Sequence, residues 1–220
     1  MRDTNDIIIE SNKSFLVAVK PAGQLSQKSE RGDQSLQNQI EAYQKTPLHI
    51  ITRLDRPVSG LVLFSKEHDF SSHFLKQQKS ASVFKQYYVI VEGLMAEKEG
   101  MLEHHHFHDK NQKKARVQNQ VGPSTKPIQL SYKVVKQLER YTILNIELKS
   151  GRFHQIRAQL SHVGYPVKGD VKYGARRGNK DRSIHLHSHS LTFKDFKGKS
   201  LTFVAPLDRS DSLWKLVPET

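Results

Sequence analysis

The chain holds 220 residues, enough to bury a sizeable core and of a length that fits one domain. It has no cysteine, which excludes disulfides, thiolate metal sites and a cysteine nucleophile. Lysine and arginine number 35 against 22 acidic residues, a net charge of +13 that points to a polyanionic partner, with nucleic acid favoured over a membrane surface.

In chain order, Met1 to Ile9 is charged and then only briefly apolar, unlike a signal peptide. No window approaches the roughly 20 apolar residues of a membrane-spanning helix, so a cytoplasmic protein without membrane contact is expected. Ile7 to Ile9 and Phe15 to Val19 read as paired strands leading into a tight turn at Lys20-Pro21-Ala22-Gly23. Asp33 is placed to cap a helix with Leu36, Ile40 and Tyr43 on one face. Leu48 to Leu54 and Leu61 to Phe64 read as two strands joined by a connection that contains Arg56, Pro57, Ser59 and Gly60. Pro57 cannot donate to a ladder, so Asp55 falls where a strand stops, between Arg53 and Arg56. A carboxylate held beside guanidinium groups stays ionised. Taken alone, it also fits an ordinary turn Asp bonded to its own backbone.

Asp69 is expected to cap a second helix, with Phe70 and Phe74 inward. Lys85 to Val91 is a strand by its aromatic and β-branched content. Glu97 to Gly100 is read as a turn before a polar hairpin from Met101 to Val121, with His104, His105, His106 and His108 on one arm and Lys113, Lys114 and Arg116 on the other. Ile128 to Lys136 and Tyr141 to Leu148 form a further hairpin. A helix is expected from Gly151, with Phe153, Ile156, Leu160 and Val163 on one face and Gly164 as its stop. A glycine-punctuated loop from Tyr165 to Gly174 and two strands, His185 to Phe193 and Ser200 to Val204, complete the chain. Strands outnumber helices and mostly connect as hairpins, which predicts an α+β fold with a largely antiparallel or mixed sheet.

Phosphate-binding glycine loops and a serine-hydrolase elbow are absent. The histidines, including His185, His187 and His189 at alternate positions, lack metal-ligand spacing, and are read as surface groups that add to a basic face. Two segments combine polar groups with rigid placement. One is Arg53-Leu54-Asp55; the other carries Arg152, His154, Gln155 and Arg157 in six positions. Ile156 should be buried, so its neighbour Arg157 lies partly inward and needs a carboxylate, for which Asp55 is a candidate.

Arg53-Leu54-Asp55 with Ser59-Gly60-Leu61, Lys85-Gln86-Tyr87, Gly151-Arg152-Phe153-His154-Gln155-Ile156-Arg157 and Gly164-Tyr165-Pro166-Val167-Lys168-Gly169-Asp170 resemble, in order, the motifs of the RluA-type pseudouridine synthases. Val19 to Gly23 is similar to that family's opening strand and turn, and Ser183 to Pro206 to its closing strands. The resemblance implies a mixed, bisected sheet with flanking helices and a central RNA-binding cleft, over a single catalytic domain spanning residues 1–220 without a separate N-terminal RNA-binding domain. It implies an RNA isomerase that turns a uridine into pseudouridine without cofactor or metal, on a tRNA or rRNA stem-loop, in a protein expected to be a monomer.

By the same resemblance, Asp55 is the catalytic aspartate, Tyr87 the ring stacked on the target base, and Arg157 the arginine paired with the aspartate. Arg53 fills the space left by the extruded nucleotide, and Lys85, Arg152, His154 and Gln155 contact RNA. The chain departs from the family pattern at Thr52, where histidine is usual, at Phe153, where a small hydroxyl residue is common, and at Gln159, where histidine is frequent. The alternative is an RNA-binding or RNA-folding protein that keeps the fold but not turnover.

Overall fold

The computed structural model describes residues 3–30, 32–148 and 151–218; Met1 and Arg2, the start of the charged N-terminal stretch, lie outside them. The chain divides into two compact units, Met1–Lys85 with His187–Leu207, and Gln86–Leu186 with Asp208–Thr220. Among the described residues no helix is long and apolar enough to cross a membrane. Among the described residues the strands pair mostly antiparallel, with parallel pairing as well, and with a few helices they make an α+β fold.

In the first unit, β1 (Ile8–Ser11) pairs antiparallel with β2 (Phe15–Lys20), and β2 with β4 (Ser59–Ser65) from Phe15↔Ser65 to Lys20↔Gly60. The short β3 (His49–Ile50) also pairs with β4. β10 (Leu186–Lys194) runs parallel to β4 through Ser188↔Gly60, and β11 (Ser200–Val204) returns antiparallel to it. Every residue of β2 is buried because helices cover both of its faces. Phe15, Val17 and Val19 pack with Phe70 and Phe74 of α3 (His68–Lys79). Leu16 and Ala18 pack with Leu36 and Ile40 of α2 (Leu36–Gln44). A strand covered on two sides reads as a continuous apolar run, which is the pattern of this segment.

Local chemistry moves several expected boundaries. α2 is capped by Ser35, not Asp33: the Ser35 hydroxyl accepts the Asn38 N–H while the Asn38 side chain reaches back to Ser35. Tyr43 is half exposed rather than inward. α3 is capped by Glu67, and Asp69 sits within the first turn. The strand expected over Leu48 to Leu54 shrinks to His49–Ile50, because the Ile51 and Thr52 N–H groups both donate to the Leu63 carbonyl and the Thr52 hydroxyl accepts the Leu63 N–H. That double use of Leu63 takes the chain out of the ladder, so Asp55 lies in an irregular loop instead of at a strand end. Gly60, read as part of the connection, is already inside β4.

In the second unit, β5 (Phe84–Glu92), β9 (Tyr141–Leu148), β8 (Lys126–Gln137), β6 (Glu99–Asp109) and β7 (Lys114–Gln118) form an antiparallel array in that order. The hairpin bearing the histidines is β6–β7, and β6 starts at Glu99, inside the expected turn. α4 (Gln155–His162) begins four residues later than expected, after His154 takes a left-handed conformation at φ 52°. Gln155 through Leu160 are all buried, so α4 is enclosed nearly all round instead of presenting one apolar face.

Candidate active site

In the first unit the loop carrying Asp55 is pinned on both sides of that residue. The Ser26 hydroxyl donates to the Leu54 carbonyl at 2.8 Å and accepts the Leu54 N–H at 3.0 Å. On the other side, Gly23 N–H donates to the Arg56 carbonyl at 2.8 Å, and Arg56 Nε donates to the Gly23 carbonyl at 2.9 Å. The Val58 N–H closes the turn onto the Asp55 carbonyl at 3.0 Å. Leu54 packs toward the α2 core, Arg53 is exposed and Asp55 is half-buried. A carboxyl whose backbone is held this tightly keeps its direction, which is what a reacting group on a loop requires.

Beneath that loop lies Lys20, fully buried. Its Nζ donates to the carbonyls of Pro21 (2.9 Å), Gln24 (2.8 Å) and Arg56 (3.2 Å). Burial lowers its pKa to about 7; the Asp55 charge opposes that shift and the Arg56 charge adds to it. Lys20 therefore ties the turn after β2 to the loop after Asp55, close enough to Asp55 to feel its charge.

His187 occupies the end of the same unit where β4 and β10 run side by side. Its Nδ1 accepts the Ser59 hydroxyl at 2.8 Å, and its Nε2–H faces the Ala205 carbonyl at 3.4 Å. At 3 % exposure, desolvation depresses its pKa to about 4. The folded state thus resists protonation that the unfolded chain accepts below about 6.5. Stability from this group is complete above pH 6.5 and is lost as pH falls toward 4, by about 3 kcal/mol in all. Urea unfolding at stepped pH should show this decline, and His187→Asn, which keeps an acceptor for Ser59 without titrating there, should flatten it. An unchanged slope in that variant contradicts the assignment.

Other histidines of the two clusters, His104, His106 and His185, also correct the expectation of a charged surface. His106 and His185 are buried, and desolvation lowers the pKa of His104, His106, His154 and His185. His154 is held at about 3. These rings act as neutral hydrogen-bonding partners at pH 7.

In the second unit, Arg157 is buried as its neighbour Ile156 predicts. Its Nε and Nη2 donate to the two Asp170 carboxylate oxygens at 2.6 and 2.9 Å, a two-point ion pair that fixes the guanidinium plane. The Tyr173 ring lies 4.9 Å from the guanidinium carbon. Asp170 and Tyr173 were not singled out as site residues from the sequence. The signal was present, because a buried arginine needs a carboxylate and Asp170 closes the glycine-rich motif only 13 residues on.

The polar residues of α4 are braced. Gln155 is buried; its Nε2 donates to the Gln129 carbonyl and to Gln159 Oε1, both at 3.1 Å, and its Oε1 accepts the Arg152 N–H. Gln159, a departure from the family pattern, donates to the Leu102 carbonyl (3.0 Å) and to His104 Nδ1 (3.1 Å). Arg152 is exposed. Tyr87 is half-buried on β5, opposite Ile146 of β9, which in turn faces Tyr132 of β8. Lys85, the residue two before it, is half-buried, and desolvation lowers its pKa to about 8.

Residues 14–162 match the model of the RNA pseudouridylate synthase family. The chain is 29 % identical over 213 residues to an uncharacterized RNA pseudouridine synthase of Bacillus subtilis, covering 94 % of this chain and 74 % of that protein. It is 28 % identical to the tRNA pseudouridine synthase C of Vibrio parahaemolyticus, over 94 % of this chain and 88 % of that one. The ribosomal large subunit pseudouridine synthase C of Buchnera aphidicola is 32 % identical over 73 % of this chain, and the match spans only 54 % of that relative. The fold is similar to the solved human RNA pseudouridylate synthase domain containing 4, with a TM-score of 0.74 at 18 % identity over 94 % of this chain and 92 % of that one. It is likewise similar to the human domain containing 1, with a TM-score of 0.76 at 21 % identity, over 90 % and 82 %. The motifs, the matched segment and the fold agree: the chain belongs to the RNA pseudouridylate synthase family, in its RluA-type branch, a family of isomerases.

Proposed function

We propose that the chain isomerises a specific uridine of tRNA or rRNA to pseudouridine, acting as a monomer in the cytoplasm. The C1′–N1 bond breaks, the uracil turns, and a C1′–C5 bond forms; the C5 proton goes to water and N1 gains one. A stacked uridine exposes neither C1′ nor C5, so the target nucleotide flips out, at a cost of a few kcal/mol. Tyr87 holds the flipped uracil by stacking, worth about 1–3 kcal/mol. Arg53, exposed beside the Asp55 loop, fills the vacated space. Asp55 acts through its carboxyl group, either attacking C1′ or removing a sugar proton in an elimination, and Arg157 supplies the fixed positive charge. Lys85, Arg152, His154 and Gln155 serve the RNA.

The observation that carries this reading is Asp55 itself, a half-buried carboxyl on a loop locked by Ser26, Gly23 and Lys20. Bulk RNA carrying tritium at uracil C5 tests it. The protein should release tritium to water in proportion to pseudouridine found in the digested RNA. RNA that is bound but releases nothing would instead favour the non-catalytic alternative.

A further inference from the structure

Within the second unit, the hairpin β6–β7, the turn before α4 and the turn Val171–Tyr173 contribute to one column of rings. Its innermost member is Tyr173, buried, whose oxygen accepts the Ala115 N–H at 2.7 Å. The same oxygen shares a hydrogen bond with His154 Nδ1, 2.8 Å away. His154 stacks on Phe153 with centroids 3.7 Å apart and planes 22° from parallel. Phe153 meets His108 at 4.1 Å and 32°. The column thus runs from the Arg157 side of Tyr173 out to solvent, where His108 is exposed.

Cations lie along the column. Lys114 lies 5.0 Å from the Tyr173 ring centre, Lys172 Nζ donates to the Lys113 carbonyl, and the charges of Lys172 and Arg152 are felt at His154 and His106 respectively. Lys113, Arg152 and Lys172 are exposed. Asp109 is the nearby acid, and it faces Arg116 at 3.7 Å. A flat exposed ring with backing rings below it and cations around it matches a polymer of flat bases on a phosphate chain.

We infer that His108 is the seat on which an unpaired base of the RNA substrate stacks, with Lys113, Arg152 and Lys172 taking the flanking phosphates. The inference rests on the RNA reading of the preceding section and deepens it by naming a contact away from Asp55. Phe153 gives His108 a rigid backing, and position 153 is one at which the chain departs from the family pattern.

The test is fluorescence anisotropy with an end-labelled stem-loop RNA that has an unpaired loop, over a range of salt. His108→Ala should bind about 5- to 150-fold more weakly, the loss of one base–aromatic stack, while His108→Tyr should bind at least as well as the unaltered protein. In both, the slope of log affinity against log salt should be unchanged, because a stack releases no counterion. Both variants should melt with the unaltered protein, since His108 is exposed. Equal binding by His108→Ala, equal loss in His108→Tyr, or a slope reduced by about one overturns the stacking seat. These outcomes leave the RNA reading intact; failure of the unaltered protein to bind the RNA at all overturns both.

Discussion

Gly60→Ala should destabilise the first unit by more than about 4 kcal/mol, a large share of the 5–15 kcal/mol that hold a typical domain together. An added Cβ would stand 2.2 Å from the Ser188 carbonyl oxygen and 2.5 Å from its nitrogen, and both are backbone atoms that cannot swing aside. The residue also has φ +116°, which side-chain-bearing residues avoid. The close approach exists because β10 runs parallel to β4 with Ser188 directly opposite Gly60. Gly198, at φ +79° with nothing within 4 Å of its added Cβ, is the control: its alanine variant should cost only the backbone strain, about 1–3 kcal/mol. Urea denaturation of both variants separates the two terms. A Gly60→Ala protein that unfolds at the same urea concentration as the unaltered chain would contradict this packing.

Asp170→Asn should be destabilising by about 3–5 kcal/mol, because it takes the charge from one side of a buried ion pair and sets an amide N–H₂ against a guanidinium donor. The pair is enclosed on both sides, with side-chain exposures of 5 % and 2 %. Replacing both partners by apolar residues, as in Arg157→Met with Asp170→Leu, removes the guanidinium set against the amide and should recover most of the lost stability. It should not recover tritium release, because the guanidinium is gone. A double variant that is both stable and active would show that the pair serves folding alone.

Much of this architecture was legible because the strands are rich in β-branched and aromatic residues and the turns carry Pro and Gly. The pairing of Ile8–Ser11 with Phe15–Lys20, the β6–β7 hairpin and the β8–β9 hairpin all stand where those patterns put them. Errors came where a side chain replaced a backbone partner: Thr52 takes the Leu63 N–H, and Ser35 and Asn38 cap each other. Burial of α4 on nearly all sides was not legible, since Gln155 and Gln159 look like a solvated face until Gln129 and Leu102 are known to lie against them. His106, His185 and His187 failed for the same reason, because alternation along a strand tells which residues share a face but not what covers it. Asp55, Tyr87 and Arg157 were singled out through motif order. The clamp around Asp55 joins it to Lys20, Gly23 and Ser26 about 30 residues away, a distance in sequence that no local pattern spans.

The most direct measurement compares tritium release from uracil C5 by the unaltered protein and by Asp55→Asn under single turnover, with enzyme in excess over RNA. Asp55 is half-buried with its backbone held by neighbouring groups, so the amide should leave the loop, the melting curve and RNA affinity in place. Release should fall to background in the variant. Release from Asp55→Asn at a rate near that of the unaltered protein would contradict the account, because the chemistry would then belong to another group.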